Sequence, residues 1–404
     1  MAVDVTMAAG ESRYAYVRLA ASLTLMTMGT VGMYAIVVAL KPIALEFGAS
    51  RSSASLAYAA TMVGFGLGGI MMGRWSDRVG VMWPCLAGTV FLALGFLLAA
   101  QATALWQLYI AQGLLIGLLG NAAVFAPLVA DTTLWFHRRR GIAVAIVASG
   151  NYLAGVVWPP IVQYYIDASD WRATYTGIGI FCLLAMPPLC LILRRRPVAV
   201  LAMDAGETVA ATRPLSLAPN GLQGLLCVAG VACCVAMAVP QVHIVAYASD
   251  LGLTAQRGAE MLALMLATGI VSRLVFGWIS DSIGGLSTLL VGSSLQALTL
   301  FLFMFVDTLT GLYLMSALFG LSQGGIVPSY AIIVRRYLPP GQTGWRVAMV
   351  LSMTLLGMAL GGWLAGLLYD LTGSYRLAFI NAVAFNVLNM VIAGILLRRS
   401  RQEL

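Results

Sequence analysis

Charge is what this sequence has least of. Only 9% of its 404 residues are Asp, Glu, Lys or Arg, and Lys41 is the only lysine. A water-soluble domain carries about 25% charged residues, so this chain cannot cover a globular surface with them. The sequence also lacks ten-residue stretches of alternating polarity, which excludes a membrane barrel. Its six cysteines (Cys85, Cys182, Cys190, Cys227, Cys233 and Cys234) show no CxxC or His/Cys spacing. That pattern gives no metal cluster and no disulfide framework, and no cofactor is implied. No nucleophile stands beside a general base, which argues against an enzyme.

What is present is apolar length. Hydrophobic residues make up 61% of the chain, and the mean hydropathy is +0.92. In lipid every backbone polar group must be satisfied internally, so long apolar runs read as helices. Twelve such runs occur, at 17–40, 54–73, 81–101, 106–130, 141–163, 173–193, 222–246, 258–280, 286–306, 309–334, 345–368 and 377–397. Each is long enough for a span of roughly 20 residues. The first run is too long for a cleavable signal peptide. The expectation is an all-α membrane protein with the lipid bilayer as its main solvent.

The few charges orient the stack. With a cytoplasmic N-terminus, seventeen basic residues fall inside, among them Arg138, Arg139, Arg140, Arg194, Arg195 and Arg196. Five fall outside (Lys41, Arg51, Arg172, Arg257 and Arg376). This is the positive-inside asymmetry, and it places both termini in the cytoplasm. It also accounts for the net charge of +8 through the anionic inner leaflet, with no nucleic-acid partner.

The chain repeats itself at an offset of 204. "FGAS" at 47–50 aligns with "LGLT" at 251–254, "GRWSDRVG" at 73–80 with "GWISDSIG" at 277–284, and "DWRATY" at 170–175 with "SYRLAF" at 374–379. Two halves of six helices follow, 1–196 and 222–404, joined by a cytoplasmic linker over 197–221. Both halves start on the same side of the membrane. The repeat is therefore parallel, with a binding site expected at the midplane between the halves.

Two six-helix halves carrying G-x-x-x-D-x-x-G between spans 2 and 3, echoed between spans 8 and 9, resemble the major facilitator superfamily. The resemblance implies that fold and alternating access to a central site. In the loop motif, Gly73 and Gly80 permit a tight turn, and Asp77 and Arg78 are set to pair with neighbouring helix ends. Asp131 is the expected partner of Arg78, forming a cytoplasmic latch. In the second copy Asp281 is kept, and Ser282 replaces the arginine. Within the superfamily, "WFHRRRGIAVAIVASG" at 135–150 resembles the monocarboxylate porter signature. It has the aromatic pair, the basic run and small residues at alternate positions ending in Gly150. The animal members carry a lysine aligned to Tyr34 and an aspartate aligned to Gly269. Both departures favour a bacterial member in the inner (cytoplasmic) membrane. The drug:proton antiporter signature is missing from "GNYLAGVVWPP".

One charge breaks the pattern. Arg273 is the only charged residue from Met261 to Ile279. A buried guanidinium cannot deprotonate and costs roughly 2.5–3.5 kcal/mol at a helix centre. Its neighbours one turn away, Gly269 and Gly277, leave a groove beside it, and its planar fork suits a carboxylate. The helix 8 arginine of the porter family and of the oxalate:formate exchangers binds anions, and the resemblance carries that role to Arg273. The span 11 segment "VAMVLSMTLLGMALGGWLAGLL" has no charge, so one central cation implies one carboxylate. His243, in "VPQVHIVAYASD" after Pro240, is the only histidine within a span and a candidate for substrate binding and proton coupling. Asp131 is a second proton candidate. Asn121, Tyr34 and Tyr330 are candidate hydrogen-bonding residues for the substrate. Asp250 and Glu260 read as a solvated rim. The functional expectation is a proton-coupled symporter of small organic monocarboxylates that works as a monomer. An organic anion exchanger of the oxalate:formate type is the alternative.

Overall fold

The computed structural model describes residues 13–136, 140–195, 217–339 and 342–402. Twelve helices in it are long and apolar enough to cross a membrane. They are α1 (Arg13–Glu46), α2 (Arg51–Val79), α3 (Met82–Ala100), α4 (Leu105–Trp135), α5 (Ile142–Ala168) and α6 (Trp171–Ile192), then α7 (Pro219–Asp250), α8 (Ala255–Ile283), α9 (Gly285–Phe303), α10 (Leu309–Tyr337), α11 (Trp345–Thr372) and α12 (Arg376–Ser400). Even the 19 residues of α3 reach about 28 Å at 1.5 Å per residue, close to the thickness of the hydrocarbon core. Residues 196–216, most of the expected linker, lie outside the described residues.

The 204-residue repeat is visible in local geometry. The Ser50 side chain caps α2 by accepting from the Ser53 N–H, and Thr254 caps α8 in the same way from Arg257. Such caps satisfy N–H groups that the first helical turn leaves open. At the other ends the aligned glycines Gly80 and Gly284 have φ +86° and +80°, a region that strains any residue with a Cβ. The motif's second glycine is thus needed because the chain turns through left-handed backbone there, whereas Gly73, expected to share the turn, and its counterpart Gly277 lie inside α2 and α8.

Several helices break near mid-span. The first α-helical segment ends at Gly29, and the next begins at Val31. α4 passes through a π-helical stretch, Ala111–Gly120, and a 3-10 turn, Asn121–Val124, before resuming at Ala126. α5 is interrupted at Ser149, and α10 between Gln323 and Ile326. The α10 break lies against α8: a Cβ on Gly324 would stand 2.3 Å from the Gly269 carbonyl oxygen and 2.7 Å from the Arg273 nitrogen. Only glycine permits that approach. Pro240 sits inside a helix that runs unbroken from Pro219 to Asp250.

The two halves meet along two antiparallel crossings. In α2 against α11, Gly366 packs on Arg51 and Ser55, Gly362 on Tyr58, and Gly66 on Leu355. In α5 against α8, Gly155 packs on Leu266 and Gly269 on Tyr152, and the Arg273 Nη1 reaches the Ala148 carbonyl at 3.5 Å. Further along, Gly73 and Gly277 have no neighbouring atom within 4 Å of where a Cβ would stand. The halves are therefore packed together from one end to the level of Arg273 and part beyond it. The packed end is the one that the charge asymmetry assigns to the outside.

Candidate functional site

Arg273 ends the α5–α8 crossing. Its guanidinium carbon lies 4.3 Å from the centroid of the Tyr152 ring, a cation–π contact that holds the plane. Its only hydrogen bond among the described residues is the long one to the Ala148 carbonyl, across the inter-half boundary. Its Nε is buried and has no acceptor. No described carboxylate pairs with it, whereas Arg18, Arg51 and Arg172 each have a carboxylate partner.

Other polar groups gather at this level. The Tyr34 hydroxyl donates to the Asn151 carbonyl at 3.1 Å, and its ring packs against Gly155 beside Leu266. This places Tyr34 at the same α5–α8 crossing as Arg273. Tyr152 lies over Gly269, and the Nε2 of Gln323 stands 3.7 Å from the same point on that glycine. Gln241 Nε2 donates to Gln323 Oε1 at 2.5 Å, and the Gln323 Nε2 is buried without an acceptor. Tyr152, Gln241 and Gln323 were not singled out from the sequence. A polar residue beside Pro240 and another beside the Gly324–Gly325 pair were the only signals. Asn121 lies within the N-terminal half at the α4 break, packed on Gly32 of α1, with both amide atoms buried and unpartnered.

His243 and Tyr330 occupy different ground. At about 1.5 Å per residue, His243 lies roughly 10 Å from the Asp250 end of α7, whereas Arg273 lies roughly 27 Å from the corresponding end of α8. Both His243 ring nitrogens are engaged, Nε2 with the Gly362 carbonyl at 2.8 Å and Nδ1 with the Tyr375 hydroxyl at 3.0 Å. A carbonyl can only accept, so Nε2 carries a proton, and the neutral ring accepts from Tyr375 through Nδ1. The structure leaves His243 no free nitrogen for a substrate. The Tyr330 hydroxyl donates to Asn389 at 2.8 Å, and Asn389 in turn donates to Ser293 at 2.7 Å. That network ties α10 to α12 and α9 inside the C-terminal half and engages the Tyr330 hydroxyl.

The packed end is closed by charge. Asp250 accepts from Lys41 Nζ at 3.0 Å and from Arg51 Nη2 with both oxygens at 2.9 Å. Asp370 accepts from the backbone N–H groups of Arg51 and Ser52, each at 2.8 Å, so a carboxylate of one half caps a helix of the other. Arg51 also donates to Tyr375 at 2.9 Å, which joins this cluster to His243. Asp250, expected as a solvated rim residue, is instead an inter-half ion pair. Glu260 stays near the rim, bonded to Arg257 and Tyr313.

At the opposite end the expected latch partner is taken. Asp131 does not pair with Arg78. Its two oxygens accept from Arg18 Nε and Nη2, both at 2.7 Å, with the Arg18 side chain 3% exposed and that of Asp131 8%. This pair joins α1 to α4 within one half. Asp77, Arg78 and Asp281 are exposed and form no ion pair among the described residues. That is what separated helix ends leave behind. His137, Arg138 and Arg139 of the basic run lie outside the described residues, as does the side chain of Arg140.

Comparison with known proteins bears on the whole chain. The model of the Major Facilitator Superfamily matches residues 20–311 and 224–404. Monocarboxylate transporter 13 of Bos taurus is 29% identical over 346 residues, covering 85% of this chain and 79% of that one. Monocarboxylate transporter 11 of Homo sapiens is 29% identical and covers 81% and 70%. The MFS-type transporter pynF of Aspergillus niger is 26% identical, covering 79% and 73%. Among solved structures, a bacterial homolog of the human lysosomal transporter Spinster, inward-facing and occupied, superposes with a TM-score of 0.75 at 14% identity over 97% of this chain and 98% of that one. The nucleoside transporter NupG gives 0.73 at 12% identity, over 95% and 99%.

Proposed function

The chain belongs to the major facilitator superfamily, and from that premise we propose that it is a secondary transporter of small organic monocarboxylates with Arg273 as the carboxylate anchor. The observation that carries this is a half-buried guanidinium between the halves whose buried Nε has no acceptor and which no described carboxylate neutralises. A carboxylate bound in its fork would supply the missing acceptor and the countercharge together. The monocarboxylate transporter relatives support the substrate class. The contacts between the halves end at Arg273, so the anchor stands at the head of the open side. We assign that side to the cytoplasm, with both termini, on the distribution of arginines. The departures at Tyr34 and Gly269 are the reason to place the protein in a bacterial cytoplasmic membrane, where it works as a monomer.

Proton coupling belongs to the same proposal. Carrying an anion into a negative-inside cell costs about 2.3 kcal/mol per charge per 100 mV, and a co-transported proton cancels that charge. We take His243 as the group that meets a proton arriving from outside, a reading supported by its link through Tyr375 to Arg51 at the closed end. The exchanger alternative draws on one observation: no described Asp, Glu or His bonds to Arg273.

Calorimetry on the purified protein tests the anchor. Arg273→Ala and Arg273→Lys are expected to lose carboxylate binding, the lysine because it lacks the two-pronged fork. Wild-type affinity in Arg273→Ala would refute the assignment.

A further inference from the structure

Arg273 is not the only donor left without an acceptor at the head of the opening. Gln323 is fully buried, and its Nε2 has no partner. The amide is oriented, because Gln241 donates into its oxygen at 2.5 Å. The remaining hydrogens therefore point as donors, and Gln323 can recognise only an acceptor. That nitrogen stands 3.7 Å from the Cβ position of Gly269, one helical turn from Arg273. A Tyr152 ring carbon stands 2.7 Å from the same Cβ position, and the ring stacks under the guanidinium. The next residue, Gly324, brings the broken end of α10 against the Arg273 backbone. Two unpaired donors and one aromatic ring thus gather along one turn of α8, between Gly269 and Arg273.

We propose that Gln323, held by Gln241, is a specificity-determining residue that reads an acceptor oxygen on the carbon next to the bound carboxylate. The inference rests on the reading of Arg273 as the carboxylate anchor. With the carboxylate in the arginine fork, the second donor lies one helical turn along the groove. A 2-oxo group offers an acceptor there and brings no donor that needs a partner of its own. An unsubstituted alkanoate of the same size leaves the Gln323 amide unpaired, and a buried donor without a partner is penalised. Tyr152, packed against Gly269 beside Gln323, bounds the site and limits the acid to a short chain.

The test compares pyruvate with propionate, two acids of equal carbon number and charge. Their affinities are measured by calorimetry on the full-length protein in detergent. Wild type is expected to favour pyruvate by about tenfold, the size of one well-made hydrogen bond. In Gln323→Met, which keeps the length and removes the amide, the ratio is expected to fall to about one. Gln241→Met, which releases the amide orientation, is expected to reduce the ratio by a smaller factor, and it stands in if Gln323→Met does not fold. A wild-type ratio near one, or a ratio unchanged in the variants, overturns the role of Gln323. Loss of both acids in equal proportion would mark Gln323 as structural and overturn it as well. Equal binding of both acids by wild type and Arg273→Ala would instead refute the carboxylate anchor, a distinct result.

Discussion

The closed end should open when Asp250 loses its charge. In Asp250→Asn the amide keeps one acceptor, but Lys41 and Arg51 lose their shared carboxylate and face each other. Fully exposed ion pairs contribute about 0.2–1 kcal/mol, and breaking a buried one costs about 3–5 kcal/mol. The side chains here are 11% (Arg51), 21% (Asp250) and 32% (Lys41) exposed, and the Arg51 contact reaches both oxygens. An intermediate loss of about 1.5 kcal/mol follows, all of it from the state in which this end is shut. Since about 1.4 kcal/mol is a factor of ten, the population open at the Asp250 end should rise about tenfold. Ser55 provides the probe. It is fully buried on the α2 face against Gly366, and Ser55→Cys is almost isosteric. Five of the six native cysteines are buried and Cys227 is partly so, which keeps background labelling low. With a membrane-impermeant thiol reagent added on that side, the labelling rate of Ser55→Cys should rise about tenfold in the Asp250→Asn background. A rate unchanged within a factor of two would show that Asp250 does not hold the halves together and would remove the charge latch from the account.

Three other outcomes follow from the same geometry. Malonate should compete far more weakly than propionate for uptake into proteoliposomes, because the described part of α11 offers no charge within the membrane beyond Arg346 near its start; equal inhibition would mean a second cation at the site. With a preset pH gradient, uptake should rise as the outer pH falls, and His243→Gln should abolish that dependence. Gradient-driven uptake surviving in that variant would remove histidine as the carrier, and wild-type indifference to the gradient would favour exchange. Asp131→Asn should lower unfolding stability by about 3–5 kcal/mol, since it strands Arg18 in a buried site; an unchanged denaturation midpoint would show that the pair contributes little.

The sequence by itself determined the membrane architecture. Low charge and twelve apolar runs leave helices as the solution, because lipid offers no partner for an open backbone. The 204-residue offset aligns the positions that carry the matched caps at Ser50 and Thr254 and the matched left-handed turns at Gly80 and Gly284, since these are local constraints carried by single residues. Arg273 stood out for the same reason: one charge in an apolar run is visible without any fold. Partners were not visible. Asp131 pairs with Arg18, 113 residues away, and not with Arg78. Asp250 pairs with Lys41 at a separation of 209. Tyr330 is spent on Asn389 and His243 on Tyr375 and Gly362, while Gln241 and Gln323 meet across 82 residues. A helical sequence gives the depth of a side chain, at 1.5 Å per residue, but not the direction it faces in the bundle. That direction is set by how the helices rotate and cross. Glycines such as Gly269 and Gly324 let backbones approach closely, and only the packed structure decided which polar groups were left without partners around the lone arginine.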